Sequence, residues 1–294
     1  MKLYDDLVIS QNRVMAKSYA KINLSLDVLD KLPNGYHTVK MVMQALSLFD
    51  LVIVDKTTHG IHLSTNCKFI PKNEKNIAFK AAQLFFEKTG LPGGAKIWIH
   101  KNIPVSAGLA GGSGNAAAVL CALNMLFDLP LSEKELFDAA LELGADVPYC
   151  IQGGTCLAEG IGEKLTPLFP IPPFPVILVK PEISISTAEI YKRIDLQENL
   201  IHPNTDIILN AIKNGTFDIL FSNMKNIMQE VTEQICPEIP SICKKMSNLG
   251  AKVSLMSGSG PTVYGIFEND LAAKKAFDCL SKSYSKTFFT HIFN

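Results

Sequence analysis

The stretch IPVSAGLAGGSGNAAAVL, Ile103 to Leu120, concentrates the residues best suited to chemistry. Gly108, Ala110, Gly111, Gly112 and Gly114 carry nothing larger than a methyl group, and Ser113 and Asn115 stand among them. A strand-like run, Ala95 to Ile103, precedes the glycines, and a helical run that is apolar nearly all round, Asn115 to Phe127, follows. Glycines alone serve equally well as a tight connection. A loop that feeds a helix N-terminus does more. It presents unpaired N–H donors and the positive end of the helix dipole, which suits an anion and above all phosphate.

Gly112 to Ala117 fits G-x-G-x-x-A, a loose dinucleotide fingerprint that requires a strand after its helix. Here a second helix follows instead, opened by a capping box at Ser132 and Glu135 and closed by Gly144. That order excludes the dinucleotide fold. Neither G-x-x-x-x-G-K-S/T nor H-R-D nor D-F-G occurs, which excludes the P-loop and protein-kinase plans.

Other polar residues have plain structural readings. In YAKINLSLDVL, alternation puts Lys21, Asn23, Ser25 and Asp27 on one face of a strand, a half-buried element with a solvated polar side. Asp146 in GADVP, after Gly144 and before Pro148, holds the position of a helix N-cap, as does Asn76 before the helical run to Phe86. Tyr36 and His37 fall in the turn PNGYH, where an aromatic pair usually covers the core. Tyr191 in ISTAEIY suits a core-facing or a ligand-facing position equally. SGSGP, Ser257 to Pro261, is a turn between two strands, and GIGEKL, Gly160 to Leu165, a hairpin. His59, His62, His100, His202 and His291 lack ligand spacing, so no structural metal is expected.

Around these residues strands and helices mix without steady βα alternation, which predicts an α+β fold. VMQALSLFDLVIVDK reads as one or two strands, with others at Gly154–Glu159 and Pro175–Val179 and a final helix at Leu271–Ser283. The proline cluster Phe169 to Pro175 suggests a division into residues 1–168 and 169–294. Lysine plus arginine equals aspartate plus glutamate, 28 each among 294 residues, so no global field favours nucleic acid. Seven cysteines without a C-x-x-C read as reduced thiols of a cytoplasmic protein. Asp5 and Asp6 near the start argue against a secretion signal, and no apolar stretch is long enough to span a bilayer.

Taken together, the motifs resemble the GHMP kinases, the family of galactokinase, homoserine kinase and mevalonate kinase. PVSAGLAGGSGNAAA is similar to their phosphate loop; AKINLSLDV, GYH, LGADVPYCIQGGTCLAEGIGEKL and LMSGSGPTVYGIF match in order and spacing from about Ala16 onward. The resemblance implies a two-domain fold with the active site in the cleft between domains and ATP, with Mg2+, as phosphoryl donor. It places ATP on Pro104, Gly108, Leu109, Ala110, Gly111, Gly112, Ser113, Gly114 and Asn115, with Asn76 on the adenine side. Lys21 and Asp146 match the catalytic lysine and aspartate. Within the family, Tyr36, His37 and Tyr191 match a member acting on a cytidine diphosphate-linked sugar alcohol, the tyrosines stacking on cytosine and the histidine reading its edge. Asn23, Thr187, Gly258, Ser259 and Gly260 complete the implied substrate side. One departure stands out: the family carries G-G-S-S-N where this chain has Gly114 after Ser113. A homoserine- or mevalonate-type kinase and a non-catalytic nucleotide-binding regulator remain the alternatives.

Overall fold

A computed structural model describes residues 7–197 and 199–294. Asp5 and Asp6 lie outside the described residues. The chain forms two compact units, neither continuous in sequence. Unit 1 takes Met1–Ala20, Leu48–Val105 and Ala110–Gly153; unit 2 takes Lys21–Ser47, Ser106–Leu109 and Gly154–Asn294. The linear division at 168/169 differs from this partition. Strand pairing recruits early segments into the later unit, and the proline cluster at 169–175 lies inside unit 2.

In unit 1, β1 (Val8–Ser10) pairs antiparallel with the start of β2 (Arg13–Lys31). The end of β3 (His37–Thr57) pairs antiparallel with β5 (Gly94–His100), and β4 (Gly60–Thr65) runs parallel to β5. The expected one or two strands at Val42–Lys56 are thus a single one, because its apolar and β-branched residues run without a turn signal. Four helices cover these strands: α1 (Ile77–Thr89), α2 (Gly111–Leu126), α3 (Glu133–Leu143) and α4 (Val147–Gln152). The expected capping box at Ser132 and Glu135 is formed. Helix α2 is buried continuously from Gly114 to Asn124, as its apolar circumference requires. Its side chains meet Val52, Val54, Ile97, Ile99 and Phe85 in one core.

In unit 2, β6 (Thr155–Glu159) pairs with the start of β3 and with β7 (Lys164–Pro167), making the expected hairpin. β8 (Pro175–Val179) keeps the bounds its sequence suggests. It lies inside a four-stranded antiparallel sheet of order β10 (Val253–Met256), β11 (Val263–Ile266), β8 and β12 (Thr287–His291). All five residues of β8 are buried, since strands flank it on both edges and α10 (Asp270–Leu280) packs on it. The remaining elements are α5 (Thr187–Ile194), α6 (Thr205–Asn214), α7 (Phe217–Asn223), α8 (Ile227–Thr232) and α9 (Glu238–Asn248). The two-residue β9 (Lys225–Asn226) runs parallel to β2 at Ser25 and Leu26. All seven cysteines are free thiols, and burial pushes Cys156 and Cys243 up to about 11, which makes them poor nucleophiles. No helix among the described residues is long and apolar enough to cross a membrane.

The segment between β5 and α2 hangs on one buried carboxylate. Asp50 Oδ1 accepts the backbone N–H groups of Asn102 and Ile103 at 2.7 and 2.8 Å, while Oδ2 pairs with the Lys101 ammonium. Both side chains are nearly inaccessible, 0% for Asp50 and 7% for Lys101. Removing one partner of such a pair strands the other charge. We therefore expect Asp50→Ala to lower the unfolding free energy by about 3–5 kcal/mol, measured by urea denaturation.

Candidate active site

The polar face of β2 is not solvated. Lys21, Asn23, Ser25 and Asp27 are 4%, 0%, 0% and 6% exposed, so the half-buried strand expected from alternation is covered on both sides. The reason is local to unit 2. The Lys21 backbone N–H donates to the Leu109 carbonyl at 3.2 Å, bringing residues 106–109 against the strand. The Tyr264 hydroxyl of β11 donates to the Asn23 carbonyl at 2.8 Å. Complete burial raises the Tyr264 pKa, so this phenol stays a neutral donor. On the face itself, the Lys21 ammonium donates to Asn23 Oδ1 at 2.8 Å, and Asn23 Nδ2 donates to Met41 Sδ at 3.3 Å. A buried ammonium held against a carboxamide is a fixed positive charge aimed by its strand.

The SGSGP turn joins the same cluster. Ser257 Oγ donates to the Gly108 carbonyl at 3.0 Å, and a Cβ on Gly108 would stand 2.3 Å from the Ser257 oxygen, so no side chain fits there. Asn226 holds the turn from beneath, its Nδ2 donating to the carbonyls of Met256 and Gly258 at 2.8 Å each. Ser259 Oγ and Thr187 Oγ1 share a hydrogen bond of 2.7 Å. Lys180 fixes the connection from β8 to α5 by donating to the carbonyls of Pro181 and Ile183 at 3.0 Å, and burial lowers its pKa. Unit 2 therefore brings together Lys21, Asn23, Gly108, Leu109, Thr187, Gly258, Ser259 and Gly260, from four distant segments.

Unit 1 holds the glycine turn. Helix α2 begins at Gly111, four residues earlier than its apolar run suggests, so Gly111, Gly112, Ser113 and Gly114 form its first turn rather than a loop. Ala110 in the left-handed region (φ 55°) turns the chain into the helix, and the Gly114 N–H closes on its carbonyl at 2.8 Å. No side chain caps this end, which leaves the donors of the first turn to a ligand. Half-buried Pro104 stands in the segment before it. The Ile77 side chain lies 3.7 Å from where a Cβ on Gly112 would stand and 3.9 Å from the same point on Gly144. The N-termini of α1 and α2 and the turn before α4 thus converge. Asp146 sits at the N-cap of α4 as expected, yet its side chain makes no cap bond. Asn76 does cap α1, accepting from Ala78 N at 2.9 Å and donating to the Pro71 carbonyl at 2.7 Å. Its carboxamide is committed to its own fold.

Gly114 has a physical cause. A Cβ there would lie 2.4 Å from the Ser18 hydroxyl oxygen, which occupies the space a side chain would need. That oxygen and Asn115 Oδ1 are buried with no hydrogen-bond partner, both beside the first turn of α2. Alternation on β2 gives no hint of Ser18; only the missing side chain at position 114 points to it.

A third group forms around His37, also in unit 2. Tyr36 is exposed on its turn, whereas His37 is buried and stacked on Tyr191, ring centroids 4.8 Å apart and planes 14° apart. Its Nε2 meets Asp195 Oδ1 at 2.6 Å, and Lys31 Nζ meets Asp195 Oδ2 at 2.5 Å. Hydrogen bonds from Lys31 and His37 hold the Asp195 carboxyl below the usual carboxylate range. Lys31, His37 and Asp195 border a cavity of about 320 Å³ that Leu200 and His202 also line; His202 Nδ1 pairs with Asp27 Oδ1 at 2.7 Å. Asp195 and Lys31 carry no sequence signal, because the partners lie 158 and 164 residues apart.

Comparison with known proteins defines the class. Residues 76–154 match the GHMP kinases N terminal domain and residues 208–286 the GHMP kinases C terminal. A solved homoserine kinase from Cytophaga hutchinsonii shares the fold, with TM-score 0.78 at 18% identity over 97% of this chain and 96% of that one. A 4-diphosphocytidyl-2-C-methyl-D-erythritol kinase of Clostridium botulinum (strain Eklund 17B / Type B) is 47% identical over 93% of this chain and 98% of its own length. The enzyme of that name from Alkaliphilus metalliredigens (strain QYMF) is 47% identical over 94% and 95%. A crystal structure of 4-(cytidine 5'-diphospho)-2C-methyl-D-erythritol kinase superposes with TM-score 0.82 at 31% identity, covering 95% of this chain and all of that one. The chain belongs to the GHMP kinases and, within them, to the 4-diphosphocytidyl-2-C-methyl-D-erythritol kinase family.

The Ser18–Gly114 contact is directly testable. Gly114→Ser forces its Cβ into the Ser18 oxygen, and overpacking of this kind costs about 1–3 kcal/mol. With Ser18→Ala the nearest remaining atom of residue 18 is its Cβ at 3.7 Å, ordinary contact. The double variant should recover most of the loss in urea denaturation, a coupling of at least about 0.5 kcal/mol.

Proposed function

We propose that the protein transfers the γ-phosphoryl group of ATP to the 2-hydroxyl of 4-diphosphocytidyl-2-C-methyl-D-erythritol. The observation that carries this is the buried Lys21–Asn23 pair on the inner face of β2, an ammonium 4% exposed and hydrogen-bonded to a carboxamide. Identity of 47% to enzymes named for that substrate supports the choice of acceptor. Family membership makes ATP the donor, and Mg2+ enters as part of that substrate.

In this reading the first turn of α2 receives the phosphates, its N–H groups and dipole meeting the negative charge. Ser113, Asn115 and Ser18 offer oxygen groups suited to a hard cation among phosphates. Asp146, whose carboxylate does not cap its helix, accepts the proton of the attacking hydroxyl as the new O–P bond forms and ADP leaves. Lys21 holds the acceptor oxygen and offsets charge on the transferred group. Phosphoryl transfer asks for little beyond alignment and charge neutralisation, so this pair suffices. Tyr36, His37 and Tyr191 take the cytosine, with Thr187 and Gly258–Gly260 toward the rest of the substrate. That aromatic group favours this acceptor over homoserine or mevalonate, which offer no base to stack.

Incubation with ATP, Mg2+ and the named substrate should yield ADP and a phosphorylated product seen by phosphorus NMR; homoserine and mevalonate should yield none. Asp146→Asn should lower kcat by at least about 100-fold while ATP affinity stays within a few-fold by calorimetry. A near-normal rate in that variant removes Asp146 from its role. Lys21→Ala should lose at least about 100-fold in kcat/KM.

A further inference from the structure

We propose that Asp195 is a positioning residue that fixes the tautomer of His37 and thereby sets which pyrimidine the protein selects. The inference rests on the cytosine-reading role given to His37 above. It begins with a proton. Asp195 is held ionised by Lys31 on one oxygen, so its other oxygen can only accept. The 2.6 Å contact therefore requires His37 Nε2 to carry its hydrogen. In a neutral imidazole the other nitrogen then bears the lone pair. Nδ1 makes no hydrogen bond to any described residue, and exchanging the two nitrogens by a ring flip would break the Asp195 contact and disturb the stack on Tyr191.

The consequence is chemical. A ring that offers only an acceptor at Nδ1 suits an exocyclic amine, which donates, and repels a carbonyl, which also accepts. Cytosine and uracil differ at that position: cytosine carries the amine and uracil the carbonyl. Lys31 and Asp195 therefore determine base choice without touching the base. A histidine without Asp195 would sample both tautomers and accept either pyrimidine.

CDP and UDP serve as probes in calorimetry, and nitrogen-15 NMR of the histidine rings reads the tautomer. The unaltered protein should bind CDP at least about tenfold more tightly than UDP, with His37 protonated at Nε2 alone. Asp195→Asn presents an amide whose N–H₂ donates to Nε2 and drives hydrogen to Nδ1. The variant should weaken CDP binding, retain or improve UDP binding, bring the two within about threefold, and shift the His37 nitrogen signals. Asp195→Glu, which keeps the carboxylate, should restore most of the preference. A merely structural role would weaken both ligands alike. If Asp195→Asn keeps the full CDP preference, or if His37 in the unaltered protein carries hydrogen at Nδ1, the proposal is overturned. Failure of the unaltered protein to bind CDP at all would instead overturn the cytosine-reading role of His37 on which it rests.

Discussion

An ammonium group kept out of water organises unit 2. Burying the Lys21 charge costs several kcal/mol unless polar groups meet it; Asn23 Oδ1 does so on the same strand, while the 106–109 segment and β11 cover the strand that carries both. Asn23 receives its hydrogen, and Tyr264 and Leu109 pin the backbone on either side. The Gly108–Ser257 contact then fixes where the SGSGP turn can lie, because neither chain could approach with a larger residue at 108. Each of these contacts would be wasted on a solvated strand. Their coherence makes Lys21 a placed charge rather than a surface one.

The start of α2 in unit 1 follows a different principle. It neutralises nothing by itself and leaves donors unmet. Helix α2 starts without a cap on glycines, and the buried Asp50 carboxylate anchors the chain just ahead of it. Rigidity is supplied at the base of the segment and openness at its tip. Ser18 and Asn115, polar and unpartnered beside the first turn, belong to the same pattern of capacity held in reserve.

Local signals in the sequence carried much of the fold. The circumferential apolarity of α2, the Ser132–Glu135 box and the uninterrupted β8 run describe elements that depend on their own residues, and they form where the patterns place them. What local pattern could not convey was coverage. Alternation on β2 says that Lys21 and Asn23 share a face, but what covers that face comes from Leu109 and from β11, 241 residues beyond Asn23. The helix start at Gly111 was hidden because glycine is a poor helix former. The partner of Gly114 is Ser18, and the partner of His37 is Asp195, each set by the folded path rather than by spacing. Asn76 and Asp146 show the converse: both sit at helix starts as capping logic requires, yet only Asn76 is consumed by the cap.

The discontinuous units also bear on how the chain is made. Unit 1 is complete once the ribosome has passed Gly153, whereas unit 2 needs Lys21–Ser47 joined to everything from Gly154 to the last residue. At ~5–20 residues per second the interval is on the order of ten seconds. Throughout it the first half of β3 and the Lys21–Lys31 part of β2 wait without the partners that β6 and β11 later bring. The segment that carries the placed charge is thus among the first to be synthesised and among the last to be sheltered, a window in which unpaired strand edges invite misassembly.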